Sequence, residues 1–190
     1  MPETLILLFH PDLSRSRANA ALAQAAAKLD SVSVIDMYGV YPDGRIDSDA
    51  ETARILGADR LVFQFPVQWY STPPLLKAWQ DAVLTRMFYI RYEEEGAKLE
   101  GMPMLVAATA GNTPKAYTAR GANLFPLAKL LRPLEATAHR CGLPYAKPFL
   151  LYEADKFDDA ALDRAGRNYV KKLAQWRRRI TRSARSFCAA

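Results

Sequence analysis

Three short stretches of the chain carry side chains able to do chemistry. The first is His10-Pro11-Asp12-Leu13-Ser14-Arg15-Ser16-Arg17-Ala18-Asn19. It is polar and runs into a helix-like segment, whose free N–H groups and dipole favour an anion. Ser16 and Asn19 add neutral donors, Arg17 a charge-assisted one, and His10 a further donor. Helix capping by Ser14 or Ser16, with plain surface polarity around it, is the alternative. The second stretch is Gln64-Phe65-Pro66-Val67-Gln68-Trp69-Tyr70-Ser71-Thr72-Pro73-Pro74. Pro66 to Tyr70 offer flat aromatic surface and backbone donors. The alternative is an ordinary core or interface role for Trp69 and Tyr70. The third is Thr109-Ala110-Gly111-Asn112-Thr113-Pro114, whose small residues allow close backbone approach. Gly-Asn is also an ordinary turn.

Each stretch follows an apolar run of strand type. Thr4–Phe9 is continuous and apolar, as buried strands of parallel sheets are. A helix follows to about Leu29, with Ala18, Leu22, Ala25 and Leu29 at helical spacing. Val32–Asp36 reads as the second strand. Tyr38–Asp47 reads as a loop and Asp49–Leu56 as a helix closed by Gly57. Asp59–Phe65 is the third strand, and a helix from Pro74 to Leu84 follows, its Pro placed where no hydrogen bond is lost. Arg86–Glu100 reads as a loop excursion. Pro103–Ala108 is the fourth strand. Leu124 to about Cys141 is helical with a break at Pro133. Pro148–Tyr152 is the fifth strand. A long amphipathic helix spans Asp158 to about Ile180, with Leu162, Ala165, Tyr169, Leu173, Trp176 and Ile180 on one stripe.

Five strands alternating with helices predict an α/β protein with a doubly wound parallel sheet. The strand order 2-1-3-4-5 puts ligands outside the carboxyl ends, at the switch point between strands 1 and 3. The three stretches end strands 1, 3 and 4. A phosphate cradle, an aromatic wall and a small-residue loop together suit an isoalloxazine cofactor. Its phosphate wants a helix N-terminus, its ring an apolar face, and its polar edge backbone partners. No Gly-x-Gly-x-x-Gly and no Walker loop is present.

The chain has 190 residues, half of them apolar, which predicts one domain with a full core. The expected division is a single domain over 1–180 and a basic C-terminal tail over 181–190. No apolar run reaches the length of a membrane span, and Met1-Pro2-Glu3-Thr4 does not read as a signal peptide. Two cysteines, Cys141 and Cys188, suit a reducing compartment. Neither they nor the distant His10 and His139 have metal-ligand spacing, so no metal site is expected. The net charge is +6. From Lys171 onward lie Lys171, Lys172, Arg177, Arg178, Arg179, Arg182 and Arg185 with no acidic residue, and the rest of the chain is near neutral. A solvated helix end explains the cations; an anionic membrane, a nucleic acid or an acidic partner is the alternative. No nucleic-acid motif accompanies them.

These residues resemble the flavodoxin-like NAD(P)H:quinone oxidoreductases, especially the bacterial branch with the ancillary flavoproteins of glutathione-gated potassium-efflux systems. Phe65 through Trp79 carries most of the likeness. Ser16-Arg17-Ala18-Asn19, Tyr41-Pro42-Asp43 with Ile46-Asp47, and Ala136-Thr137-Ala138 through Cys141-Gly142 support it. The resemblance implies a flavodoxin-like fold; flavodoxin with FMN is itself the known instance of the switch-point rule used above. It also implies a cytoplasmic homodimer with flavin sites at the interface, or one peripheral at the inner membrane face. NAD(P)H would reduce FMN (FAD being the alternative) at N5, leave, and be replaced by a quinone-like acceptor in a ping-pong cycle. His10 and Ser16, Arg17, Ala18 and Asn19 would hold the phosphate region. Pro66, Val67, Gln68, Trp69 and Tyr70 would line the ring, and Thr109, Ala110, Gly111 and Asn112 would bond its edge. Tyr117 matches a tyrosine that steadies charge on the reduced ring in some relatives, whereas Asn123 stands where they carry histidine. The usual Thr-Thr-Gly-Gly loop is here Thr-Ala-Gly-Asn. Two rivals follow: a flavin-binding regulatory subunit docked on a membrane transporter, and a one-electron carrier.

Overall fold

The computed structural model describes residues 3–187, with side chains through Arg178. Five strands form one parallel sheet in the order β2-β1-β3-β4-β5. They are β1 (Thr4–Leu8), β2 (Val32–Asp36), β3 (Arg60–Pro66), β4 (Met104–Thr109) and β5 (Phe149–Leu151). The helices are α1 (Arg17–Ala26), α2 (Met37–Val40), α3 (Ser48–Leu56), α4 (Pro74–Trp79), α5 (Ala97–Leu99), α6 (Leu127–Leu130), α7 (Arg132–Arg140) and α8 (Asp159–Phe187). β1 is wholly buried because both faces are covered, which explains its unbroken apolar run.

The two faces have separate cores. On one, Ile6, Val62 and Leu105 meet Leu22 of α1 and Tyr169, Leu173 and Trp176 of α8. The expected stripe of α8 is buried through Trp176; Ile180 lies beyond the described side chains. On the other, Phe9, Phe63 and Trp79 stack edge to face, with centroids 6.0 and 5.4 Å apart. The Trp79 indole N–H donates to the buried Glu51 carboxylate at 2.8 Å, which also accepts from Tyr41 and Arg54. Burial and that bond push the Tyr41 phenol up to about 12.

Three expectations change. Arg86–Glu100 is helical, not a loop. After α4 the chain makes π-helical turns over Gln80–Leu84, Arg86–Ile90 and Tyr92–Gly96, then α5. The wider turns scatter aromatic and acidic residues off a 3.6-residue stripe, so the periodicity hid the helix. Arg86 donates to both oxygens of Glu95 at 3.0 and 3.1 Å, and to Asp49 at 2.6 Å, pinning the segment back. A Cβ on Gly96 would sit 2.4 Å from the Met87 carbonyl oxygen, so only glycine fits there. The predicted loop from Tyr38 begins later, after α2. The helix expected from Leu124 begins at Leu127 and breaks at Leu131, whose dihedrals are not helical. Pro133 lies in the first turn of α7, where its ring is tolerated.

α8 continues past position 180 to Phe187. The side chains of the 181–190 segment, and residues 188–190 altogether, lie outside the described residues. No helix among the described residues is long and apolar enough to cross a membrane.

Candidate cofactor site

β1 leads to β2 on one side, while β3 lies on its other side, which opens a crevice above the carboxyl ends of β1 and β3. A cavity of about 310 Å³ occupies it. Its walls bring together ten of the expected residues: His10, Ser16, Arg17, Ala18, Asn19, Pro66, Val67, Thr109, Ala110 and Gly111. Gln68, Trp69, Tyr70 and Asn112 are not in its wall.

The β1 loop is built as an anion cradle. Ser16 caps α1, its Oγ accepting from the Asn19 N–H at 3.2 Å. That leaves the hydroxyl proton to donate outward. The N–H groups of Arg17 and Ala18 open the helix, where no intrahelical acceptor exists. His10 Nδ1 accepts from the Asp12 N–H at 3.2 Å, so in the neutral ring Nε2 carries the proton. Burial lowers the His10 pKa, against the opposing pull of Asp12 and Asp36, and holds the ring neutral at pH 7. Arg17 is committed elsewhere: it donates to the Phe157 carbonyl at 2.8 Å and to Asp159 at 2.5 Å, tying the cradle to the start of α8. Asn19 is also committed, one amide N–H donating to Thr109 Oγ1 at 2.9 Å. Arg15, which the sequence did not single out, lines the same cavity and makes no salt bridge among the described residues.

The β3 loop is a two-residue hairpin. Gln68 and Ser71 exchange both backbone bonds, at 3.0 and 2.9 Å. Trp69 and Tyr70 form its tip with φ of 44° and 66°. Such a turn needs positive φ at both positions and ordinarily uses Asn-Gly. Holding Trp and Tyr there costs about 1–2 kcal/mol each. Trp69 is 92% exposed, so a core role is excluded for it. Tyr70 is half-exposed, its hydroxyl 3.4 Å from Asn123 Oδ1. The aromatic pair therefore lies outside the cavity wall, two and three residues beyond Val67 which lines it, with the N–H groups of Trp69 and Tyr70 taken by no acceptor among the described residues.

The β4 loop is held from both sides. Val67 N–H donates to the Thr109 carbonyl, and Ala110 N–H to the Leu151 carbonyl, both at 2.8 Å. Glu153 N–H reaches the Asn112 carbonyl at 3.2 Å. The N–H groups of Gly111 and Asn112 have no acceptor among the described residues. Asp155 packs over Gly111: a Cβ there would lie 3.4 Å from Asp155 Oδ1. Ala154 and Asp155 complete the cavity wall from the β5–α8 connection. They escaped the sequence reading because it counted three loops; β5 also ends on this side of the sheet, which was the available signal.

Tyr117 lies behind the cavity, not in its wall. It is buried with Ala110 and Leu127, its ring 5.6 Å from that of Tyr152. Burial foremost, then Tyr70 and Tyr152, raise its pKa, so the phenol stays protonated at neutral pH. Asn123 contacts Tyr70 rather than Tyr117. Taken together, an uncommitted helix start, a neutral His10 donor, the Arg15 guanidinium in the cavity wall and the open N–H groups of Gly111 and Asn112 fit a planar ligand carrying a phosphate.

A family model described as flavodoxin-like fold matches residues 2–173. An uncharacterized NAD(P)H oxidoreductase of Bacillus subtilis, YdeQ, is 38% identical over 171 residues, covering 90% of this chain and 86% of its own. The glutathione-regulated potassium-efflux system ancillary protein KefF of Klebsiella pneumoniae is 37% identical over 172 residues, covering 90% and 95%. The crystal structure of general stress protein 14 of Treponema denticola, in complex with FMN, superposes with a TM-score of 0.83 at 37% identity, covering 92% of this chain and 99% of that one.

Proposed function

This chain belongs to the flavodoxin-like NAD(P)H:quinone oxidoreductase family, and we propose that it binds FMN in the β1–β3 cavity and passes electrons from NAD(P)H to a quinone-like acceptor. The observation that carries this reading is the meeting of three loops at one crevice, with an open helix start on one side and open N–H groups of Gly111 and Asn112 on the other. FMN bound there would supply the redox chemistry, accepting electrons from the nicotinamide and yielding them to the acceptor in separate half-reactions.

The chain's own residues bind and orient. The Ser16 hydroxyl, the N–H groups of Arg17 and Ala18, the His10 Nε2–H and the Arg15 guanidinium hold the phosphate. Pro66 and Val67 floor the ring site, and the Gly111 and Asn112 N–H groups meet its polar edge. Gln68, Trp69 and Tyr70, on the hairpin that follows Val67, would cover the ring. Tyr117 keeps its proton at neutral pH and is packed behind the cavity against Ala110. FAD is the alternative cofactor.

A homodimer is part of the same reading. Trp69, Tyr70, Tyr89, Ile90, Leu124 and Phe125 are exposed. A groove of about 490 Å³ runs between the α4 segment and α7, walled by Leu84, Phe88, Tyr89, Leu134 and Arg140. An apolar surface of this kind favours a second copy closing over the site. The test is direct: the purified protein should oxidise NADH or NADPH, faster with an added quinone. Oxidation unaffected by quinone in the FMN-loaded protein would contradict the acceptor assignment.

The similarity to KefF favours a second reading, a flavin-binding regulatory subunit of a potassium-efflux transporter, peripheral at the inner membrane face. In it residues 1–180 are the flavin domain and 181–190 the basic docking tail. Deleting 177–190, the end of the basic stretch from Lys171, should then abolish transporter binding and spare catalysis. Equal binding by the shortened chain would count against the tail.

A further inference from the structure

Gln64 is a polar residue where the sheet asks for an apolar one. In β3 its neighbours Phe63 and Phe65 enter one core, while Val62, two residues back, packs against α1 and α8. By the alternation of a strand Gln64 faces the same side as Val62. It is 0% exposed, paired in register with Leu8 and Ala107. Strand pairing alone would be served as well by leucine or methionine.

Its side chain makes one firm connection. Nε2 donates to the Asn19 carbonyl oxygen at 2.9 Å. That carbonyl only accepts, which fixes the amide end facing it. Asn19 in turn donates through Nδ2 to Thr109 Oγ1 at 2.9 Å, and its N–H is capped by Ser16. A buried chain thus runs from the middle strand, through the first turn of α1, to the base of the β4 loop. Gln64 Oε1 is buried and has no partner among the described residues. Such an acceptor is costly, and so is freezing a glutamine. A residue that costs stability in a core is expected where a site needs it.

We propose that Gln64 is a positioning residue for the cofactor cavity. It holds Asn19, and through Asn19 the Thr109 hydroxyl, so that the phosphate cradle and the edge-binding loop keep one separation. The inference rests on the FMN reading and goes beyond it, because Gln64 lines no part of the cavity. A ligand anchored at both ends binds tightly only if the two anchors are already at the right spacing.

The test is FMN affinity against pH, with urea unfolding on the same samples. Gln64→Leu should unfold at a urea concentration no lower than the parent, yet bind FMN about tenfold or more weakly. Gln64→Glu supplies the control. Burial raises the pKa of an introduced carboxyl. Protonated, it donates to the Asn19 carbonyl; ionised, it repels it. Its FMN affinity should therefore fall by about tenfold between pH 5 and pH 8 relative to the parent. If Gln64→Leu does not fold, Thr109→Val, which removes the far end of the chain, should weaken FMN similarly. Affinities equal to the parent in the folded variants, with no extra pH dependence in Gln64→Glu, would overturn the positioning role alone. A parent that takes up neither FMN nor FAD would overturn the cofactor reading and this inference together.

Discussion

Trp69 and Tyr70 occupy backbone conformations that glycine would fill without strain, and Trp69 gives almost all its surface to solvent. Neither fact serves folding. An exposed indole in a left-handed turn is explained by something that covers it. Trp69→Gly should leave the melting temperature unchanged or raise it by about 2–4 °C, since strain worth about 1 kcal/mol is relieved. The same variant should bind FMN about tenfold more weakly, because flat aromatic contact is lost. A fall in melting temperature with unchanged FMN affinity would make the hairpin tip a packing device. At this scale residue types were legible and their commitments were not. Arg17 and Asn19 look like free donors in the sequence, yet each is bound to a partner more than eighty residues away. Arg15 looks incidental and lines the cavity, its guanidinium within the electrostatic reach of Asp12. Gln64 was visible as a polar residue within a buried strand, but its partners appear only once α1 lies over the sheet.

At the scale of elements, local signals worked where one stripe or one cap decided the outcome. α1, α3 and α8 follow their apolar spacing and their caps at Ser16, Asp47 and Asp158. The signal failed at the π-helical turns after α4, which depend on long-range pinning. The segment with three adjacent glutamates, Glu93 to Glu95, read as a loop, but Glu95 is buried against Arg86, with Arg91 at 3.3 Å. Its hydrogen bond from Arg86, foremost, holds the Glu95 carboxyl below its ordinary range. The sign follows from linkage: a depressed carboxyl pKa adds stability that is fully present above the unfolded value, about 4.3, and is lost as pH falls through the folded one. Glu95→Gln should therefore be less stable than the parent at pH 7 and lose less on acidification below about pH 4.5. Denaturant midpoints measured from pH 3 to pH 7 check this. Parallel curves for the two proteins would show that the pair carries no pH-dependent stability.

At the scale of the whole molecule, the parallel sheet was readable because each buried strand is a short apolar run bounded by turn residues, and its order followed from the arrangement five-stranded doubly wound sheets commonly take. The place of the site was readable for the same reason, since topology alone puts a crevice at the β1–β3 switch. What the linear chain hid is that β5 also contributes, through Ala154 and Asp155, and that the aromatic hairpin lies outside the cavity wall. The layout is that of a half-open crevice, and the proposal it supports is that the β1–β3 cavity holds FMN. The most direct measurement is the visible absorbance spectrum of the purified protein, with any released cofactor identified by mass. A yellow protein with flavin absorbance, releasing FMN in near-equal amount to protein, is the expected result. A protein that is colourless and stays so after incubation with FMN or FAD would contradict it.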